Sequence, residues 1–468
     1  MQAGLIGLGV MGRNLALNLH DKGHEVVATD SWESARAWSA PGVDVVASHA
    51  EMVGRLAAPR VVLLMVKAGE QVDREIETVT SYLAPGDTII DLGNSYYRDT
   101  ERRAAELAER GFGFLGIGIS GGAEGARYGA ALMAGGGHAD WARARQLLGP
   151  SAAQISAGVG AIEHFGPGGA GHFVKMVHNG IEYAIMQAIG EAHGVLRDVA
   201  GLSDDAIAAV LDRWKTGPGA GFLLEITADI VRAKDALTGG PLLPLIDDAA
   251  GQKGTGSWTA AAAVEFEVPA TAIMEALAER QLSGQSAQRA LAYRLAGESR
   301  PAAASPAGLA DDLEAALTGA MVVALAQGVQ IYAAAARENE GWRRDVSSLL
   351  RVWRAGSILR MAMLDRLADA LDAAGGEAGH DLLLVPSIVA DVLAARPAWR
   401  RAVVAGVSGG VPVPVLAASL AHVESLGRRT LPTALVQGQR DRFGAHGFRR
   451  TDREGDFHGP WVQPDEEA

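Results

Sequence analysis

AGLIGLGVMGRNLALNLHDKG, residues 3–23, decides the architecture. An apolar run from Ala3 to Ile6 enters a turn with Gly7, Gly9 and Gly12 spaced G-x-G-x-x-G, and a helix-like stretch from Arg13 to Gly23 follows. Strand, glycine turn and helix in that order let the backbone approach a pyrophosphate while helix N-terminal amides face its oxygens. The second apolar run, EVVATD, ends in Asp30, at about the 20-residue spacing this arrangement uses for an acidic residue on a ribose hydroxyl. Together the two features read as a dinucleotide site and not as a plain turn.

Outward from that segment, the runs RVVLLMV, DTIIDLG and GFGFLGIGIS alternate with helix-like stretches, so the chain is expected to be α/β, opening with a Rossmann-like, doubly wound parallel sheet over residues 1–168. From 169 to 428 the β-branched runs nearly vanish. Alanine- and leucine-rich stretches with helical periodicity take over, broken at Gly217-Pro218, Gly240-Pro241 and Arg300-Pro301, which predicts a large all-helical domain. Residues 429–468 form a polar, Arg- and Gly-rich C-terminal tail, expected either to dock elsewhere or to stay without order, because its composition cannot bury a core.

A chain of 468 residues accommodates two or three domains, and its 48% hydrophobic and 21% charged residues are those of a globular protein. The absence of cysteine excludes disulfides, thiolate zinc sites and a cysteine nucleophile. The N-terminus runs straight into the first strand with no basic and apolar leader, so the expected location is cytoplasmic. No uninterrupted apolar run is expected to reach the roughly 18 residues of a membrane span. A net charge of −13 argues against nucleic acid as a partner, though not against a small anion in a locally basic pocket.

Asp30 also bears on the cofactor. A carboxylate there accepts from a ribose 2′-hydroxyl and repels a 2′-phosphate, by about 3 kcal/mol per unit charge at an illustrative 5 Å and effective dielectric of 20. NAD is therefore the simpler fit and NADP the alternative, for which Arg36 is the available cation, although an arginine just past a strand more commonly belongs to a solvated helix.

The second informative segment is GAGHFVKMVHNGIEYAIMQAIGEA, where Lys175, His178, Asn179 and Glu182 fall at i, i+3, i+4 and i+7 on one helical face. Val174, Met176, Val177, Ile181, Ile185 and Met186 are apolar around the rest, so the helix is expected to be buried and its polar row paired or lining a cavity. Desolvation would lower the Lys175 pKa and raise that of Glu182, bringing both toward the range useful for proton transfer. No metal site is expected, since neither His-x-x-x-His nor a compact carboxylate cluster accompanies His178.

FVKMVHNGIEY, LGNSYYRDT, GISGGAEGARYG, AGQKGTGSW and QRDRFGAH together resemble the signature motifs of the 6-phosphogluconate dehydrogenase family, spread from end to end of the chain. The resemblance implies oxidative decarboxylation of 6-phosphogluconate to ribulose 5-phosphate, a reaction of the pentose phosphate pathway. It makes Lys175 the base for the 3-hydroxyl and Glu182 the acid that protonates C1 after carboxylate loss. It also places Asn94, Ser120, Gly121, Gly122, His178, Asn179 and Tyr183 on the sugar acid, and Lys253 and Arg280 on its phosphate. Arg440 and His446 lie in a tail that, in similar enzymes, completes the site of the other subunit of a homodimer. Implied cofactor contacts are the loop Gly7, Leu8, Gly9, Val10, Met11 and Gly12, then Val66, Lys67, Ala68 and Asn94.

Three departures from the family pattern stand out. Gly9 replaces a common alanine; Asp30, Ser31 and Trp32 stand where NADP-using members typically show Asn-Arg-Ser/Thr, which again favours NAD; and Ser257 replaces a lysine in GTGKW. A β-hydroxyacid dehydrogenase with a smaller substrate shares the glycine loop and lysine helix, but Glu182, the tail motif and the length separate it. A silent dinucleotide-binding protein is the reading from another class, and the intact Lys175 and Glu182 speak against it.

Overall fold

The computed structural model describes residues 1–252, 254–297, 306–375 and 380–462. Contacts divide the chain into two compact units, Met1–Leu420 and Ala421–Ala468. The first opens with β1 (Gln2–Ile6), α1 (Val10–Asp21), β2 (Glu25–Thr29), α2 (Glu33–Arg36), β3 (Val43–Val45), α3 (His49–Gly54), β4 (Val61–Leu64), α4 (Glu70–Thr80), β5 (Thr88–Asp91), α5 (Tyr97–Glu109), β6 (Gly113–Ser120), α6 (Gly122–Tyr128), β7 (Ala131–Gly136), α7 (His138–Leu148), β8 (Gln154–Ser156), β9 (Val159–Gly160) and β10 (Ile162–His164).

Eight of these strands form one sheet in the order β10-β7-β6-β5-β4-β1-β2-β3. Strands β1 to β6 are parallel, whereas β7 is antiparallel to β6 and β10 runs parallel to β7. The doubly wound parallel sheet thus carries a reversed pair at one edge. Alternate residues face two cores: Leu5 and Leu63 pack with Leu15 and Leu19 of α1, while Ile6, Val62 and Leu64 pack with Met52, Val72 and Ile76. Burial on both faces is why these strands read as continuous apolar runs. Strand order reverses between β4 and β1, so the loops that follow these two strands flank a crevice, where open α/β sheets bind ligands.

The described residues that follow are mainly helical: α8 (Ala170–Asp198), α9 (Asp204–Trp214), α10 (Phe222–Arg232), α11 (Thr255–Glu265), α12 (Thr271–Ser283), α13 (Ser286–Ala296), α14 (Leu309–Glu338), α15 (Ser347–Trp353), α16 (Met363–Ala374), α17 (Pro386–Ser408), α18 (Pro414–Leu426) and α19 (Thr433–Gly444). The long α14 packs on α8 and α17. Contrary to the expectation from apolar runs, α14 is long and apolar enough to cross a membrane, but 89% of its most apolar window is buried inside the fold. It serves as a core helix, and Gly328 leaves the space that Ile181 of α8 fills.

Of the two expectations for the C-terminal unit, lack of order does not hold for its described residues: it folds locally, with α19 followed by a short antiparallel pair, β11 (Phe448–Arg449) and β12 (Asp456–Phe457). The Asp441 carboxylate, with no exposed surface, accepts from Gly447 N at 2.9 Å, His458 Nδ1 at 2.6 Å, Gly459 N at 2.8 Å and Trp461 Nε1 at 2.8 Å. One carboxylate does the organising that an apolar core would do in a larger unit.

Candidate active site

The first turn of α8 lies directly on the sheet. A Cβ on Gly171 would stand 2.4 Å from the carbonyl oxygens of Gly116 and Met133, and one on Gly118 would stand 2.2 Å from the Cβ of Lys175. These bare positions let the helix approach β6 closely enough to set Lys175 against the strand two residues before its end at Ser120.

The polar row is withdrawn from water as its apolar surroundings implied: Lys175 is 6% exposed and His178 fully buried. Met186 departs from that reading and is exposed. Buried polar atoms of the row are paired in sequence. Ile358 N donates to Ser120 Oγ at 3.2 Å, and Ser120 Oγ meets His178 Nε2 at 2.9 Å. His178 Nδ1 meets Asn179 Oδ1 at 3.1 Å, and Asn179 Nδ2 donates to Thr255 Oγ1 at 2.9 Å. The consistent assignment is a neutral His178 that accepts from Ser120 and donates to Asn179. Burial, then the charge of Lys175, holds its pKa well below the usual histidine value. His178 is an orienting hydrogen-bond residue, and the Trp353 ring closes on its edge at 5.6 Å between centroids.

Lys175 and Glu182 are driven toward each other's range. Burial lowers the Lys175 pKa to about 8, against a smaller upward pull from Glu182. That is roughly 3 kcal/mol of destabilised charge. Glu182 keeps 21% of its side chain exposed, yet burial raises its pKa over the opposing effects of Lys175 and Arg280. Among the described residues no carboxylate lies within ion-pair distance of Lys175, and Glu182 reaches only His178 Nδ1, at 3.6 Å. A lysine whose pKa is lowered to about 8, on the same helical face as a glutamate whose pKa is raised, has the chemistry that proton transfer asks of a base and an acid.

Other expected site residues gather around this row. Arg280 lies over the Tyr183 ring at 3.6 Å from its centroid and donates to Gly251 O at 3.3 Å. Gly121 and Gly122 have φ of 125° and 62° and start α6; a Cβ on Gly121 would meet Gly356 O at 2.3 Å. Thr259 of α11 donates to Met176 O at 2.6 Å, which seats α11 against α8. Lys253 lies outside the described residues. Ser257 contacts Gln252 Oε1 at 3.5 Å. Arg440 and His446 belong to the C-terminal unit, where Arg440 bonds Gln437 and His446 meets the Phe443 ring.

Next to Ser120, Ile119 borders a cleft of about 830 Å³ lined by Gly9, Val10, Met11, Gly12, Val66, Lys67, Ala68, Gly69, Gly93, Asn94, Tyr96 and Trp258. The three loop glycines divide their work. A Cβ on Gly7, at φ 107°, would strike Met65 O at 2.4 Å, and one on Gly12 would strike Gly7 O at 1.9 Å, whereas Gly9 has open space above it. Alanine at position 9 would therefore fit. Gly9 is the N-cap of α1 and supplies no side-chain cap, so the first-turn amides are left for an anion. The observed loop fits a pyrophosphate.

Asp30 and Ser31 do not line this cleft. Asp30 Oδ2 accepts from Leu8 N at 2.6 Å and Oδ1 from Trp32 N at 2.8 Å, so the carboxylate also braces the glycine loop. Arg36 is not a freely solvated helix charge: its Nη1 donates to Asp30 O at 2.6 Å, placing a cation at this corner. Sequence reasoning passed over Thr255, Trp353 and Ile358. Thr255 lay inside the motif AGQKGTGSW, but nothing local marks the other two.

Comparison with known proteins agrees with this geometry. Residues 2–160 match the family described as the NAD binding domain of 6-phosphogluconate dehydrogenase, and residues 171–461 its C-terminal domain. The chain is 42% identical to 6-phosphogluconate dehydrogenase, decarboxylating, of Synechococcus elongatus, over 98% of this chain and 99% of that one. It is 41% identical to the protein of the same description from Ovis aries, over 98% and 96%. Among solved structures it resembles Plasmodium falciparum 6-phosphogluconate dehydrogenase, described in apo form and in complexes with its cofactor NADP+ and its substrate 6-phosphogluconate, with a TM-score of 0.90 and 33% identity over 98% of this chain and all of that one. With both halves matched and relatives above 40% identical along nearly the whole length, the chain belongs to the 6-phosphogluconate dehydrogenase family.

Proposed function

We propose that this chain oxidatively decarboxylates 6-phosphogluconate to ribulose 5-phosphate and CO₂ with NAD as cofactor, a step of the pentose phosphate pathway, and does so as a homodimer. The observation that carries the reading is the pair Lys175 and Glu182, one turn-row on α8, with pKa values displaced from opposite sides toward neutrality. Neutral Lys175 takes the proton of the 3-hydroxyl as C3 is oxidised. Loss of the carboxylate as CO₂ leaves an enediol, and Glu182 delivers a proton to its C1. The nicotinamide, when bound, supplies the hydride acceptor. Gly9 to Gly12 and the α1 amides would hold the pyrophosphate, Asp30 the ribose, and Val66, Lys67, Ala68 and Asn94 the nicotinamide end.

Asn94, Ser120, Gly121, Gly122, His178, Asn179 and Tyr183 orient the sugar acid, and Lys253 and Arg280 take its phosphate. The tail of a second subunit contributes Arg440 and His446. On this reading residues 1–168 bind the dinucleotide, 169–428 carry the substrate and dimer contacts, and 429–468 form the exchanged arm. The Asp30 carboxylate supports NAD, since its charge opposes a 2′-phosphate. Arg36, bonded to the Asp30 carbonyl, and the NADP+ complex of the Plasmodium falciparum enzyme favour the alternative, NADP. Measuring kcat/KM for NAD and NADP with 6-phosphogluconate, while trapping CO₂, decides both points. The proposal predicts an NAD preference and one CO₂ per cofactor reduced. A preference for NADP overturns the Asp30 argument alone, and no reduction with either overturns the activity.

A further inference from the structure

Two strand-end loops make one wall of the dinucleotide cleft: Val66 to Gly69 after β4, and Leu92 to Asn94 after β5. Behind them stands Arg103 of α5, only 1% exposed. Its Nε and Nη2 each donate to the Asp73 carboxylate at 2.8 Å, and Nη2 also donates to Gly69 O at 3.1 Å. Its Nη1 lies 3.7 Å from Asp91 Oδ2 and makes no hydrogen bond. Asp91, wholly buried at the end of β5, accepts from Gly93 N at 2.9 Å and Ser95 Oγ at 2.5 Å. The guanidinium therefore touches the first loop directly and faces the carboxylate that shapes the second.

A buried arginine is a costly way to fill space. The helices that carry Arg103 and Asp73 also bury apolar side chains, Leu107 of α5 and Val72 and Ile76 of α4, in one core, and replacing a buried ion cluster by well-packed apolar residues is often neutral or stabilising. The fold alone does not call for the charge. A planar fork that fixes two loops at a set spacing does, because lysine cannot reproduce its bidentate geometry.

We propose that Arg103 is a positioning residue for the cofactor, holding the Val66–Gly69 and Leu92–Ser95 loops in register with each other, with Asp73 as its clamp. The inference rests on the dinucleotide reading of the cleft. Asp73 is partly exposed and holds Arg102 as well, so Asp73→Asn loosens the clamp without stripping Arg103 of all its partners.

The test uses the full-length protein and variants Arg103→Lys and Asp73→Asn, with NADH as probe in fluorescence titrations, steady-state kinetics and thermal unfolding. Positioning predicts a rise of roughly tenfold in Kd and KM for the cofactor in Arg103→Lys and a smaller rise in Asp73→Asn. KM for 6-phosphogluconate should stay within about threefold, with little change in Tm. A merely structural role predicts the reverse, a lowered Tm and active fraction with unchanged cofactor affinity in the folded protein, and that result overturns the inference. If the wild type binds no dinucleotide, the cleft reading falls and this inference falls with it; wild-type binding with unaltered variants overturns the inference alone.

Discussion

Glu182 in the helical body and Asp441 in the C-terminal unit are both signature-motif carboxylates withdrawn from water, and they shift in opposite directions. Asp441 has no exposed surface, so burial pushes its pKa up, yet donors from Gly459 N, His458, Gly447 N and Trp461 overcome this and hold it down at about 2. Glu182 is more exposed but has no hydrogen-bond donor among the described residues, and burial wins. Glu191, also on α8, shows the intermediate case: it accepts from Leu416 N and Val415 N at 2.9 Å each and from Gln187, but burial still lifts it to about 7. The number and quality of donors, more than accessible surface, decide whether a carboxylate is a fixed anchor or a group able to trade protons. Asp441 has the environment of an anchor and Glu182 that of an acid.

Removing the partner that most affects Glu182 is the most severe way to strain this contrast. Lys175→Met should lower kcat by more than about a thousandfold, since no other group of the α8 row can take the hydroxyl proton. Substrate and cofactor Kd should move only a few-fold. Glu182→Gln keeps shape and removes the transferable proton; kcat should fall by about a hundredfold, with the loss at the reprotonation step, seen as slower uptake of solvent deuterium at C1. Retention of near-normal turnover would make Glu182 a bystander.

Asp441→Asn attacks the other side of the comparison and should act by a gentler route. An amide cannot offer its nitrogen to four donors, so amide-exchange protection at Gly447 and Gly459 should drop. If the tail completes a second subunit's site as proposed, KM for 6-phosphogluconate should rise about tenfold with kcat less affected. The signs of the pH effects also differ. Asp441 is depressed on folding, so its contribution is complete above the ordinary value of 3.8 and is lost as pH falls toward about 2. Glu182 is raised on folding, so its burial begins to cost stability as pH climbs above 4.5.

Much of this was legible in the amino-acid sequence. The first β-runs, buried on both faces, announce a parallel sheet, and the i, i+3, i+4, i+7 row marks one face of α8. The reversed edge was not legible, because β7 is ALMAGG, without the β-branched content that signals a strand, and β10 is only the three residues IEH. Long-range pairings were equally hidden: Ile358 reaches Ser120 across 238 positions. Arg36 reads as an ordinary helix charge and nothing in the sequence singles out Arg103, while the order in the tail depends on one aspartate whose four donors are spread over residues 447 to 461. Composition records how little apolar material a segment has, and cannot record how well a single carboxylate is satisfied.

The most direct test of the account is the pH dependence of kcat/KM for 6-phosphogluconate, at saturating cofactor, in the wild type and in Glu182→Gln. Lys175 must be neutral to accept the hydroxyl proton, so activity should rise with pH along a limb centred near 8 and then level off. Because the Glu182 charge raises the Lys175 pKa, its removal should move that limb to lower pH even as the plateau falls. A wild-type profile flat through this range, or a limb unmoved in Glu182→Gln, would contradict the coupled lysine and glutamate at the centre of the proposed reaction.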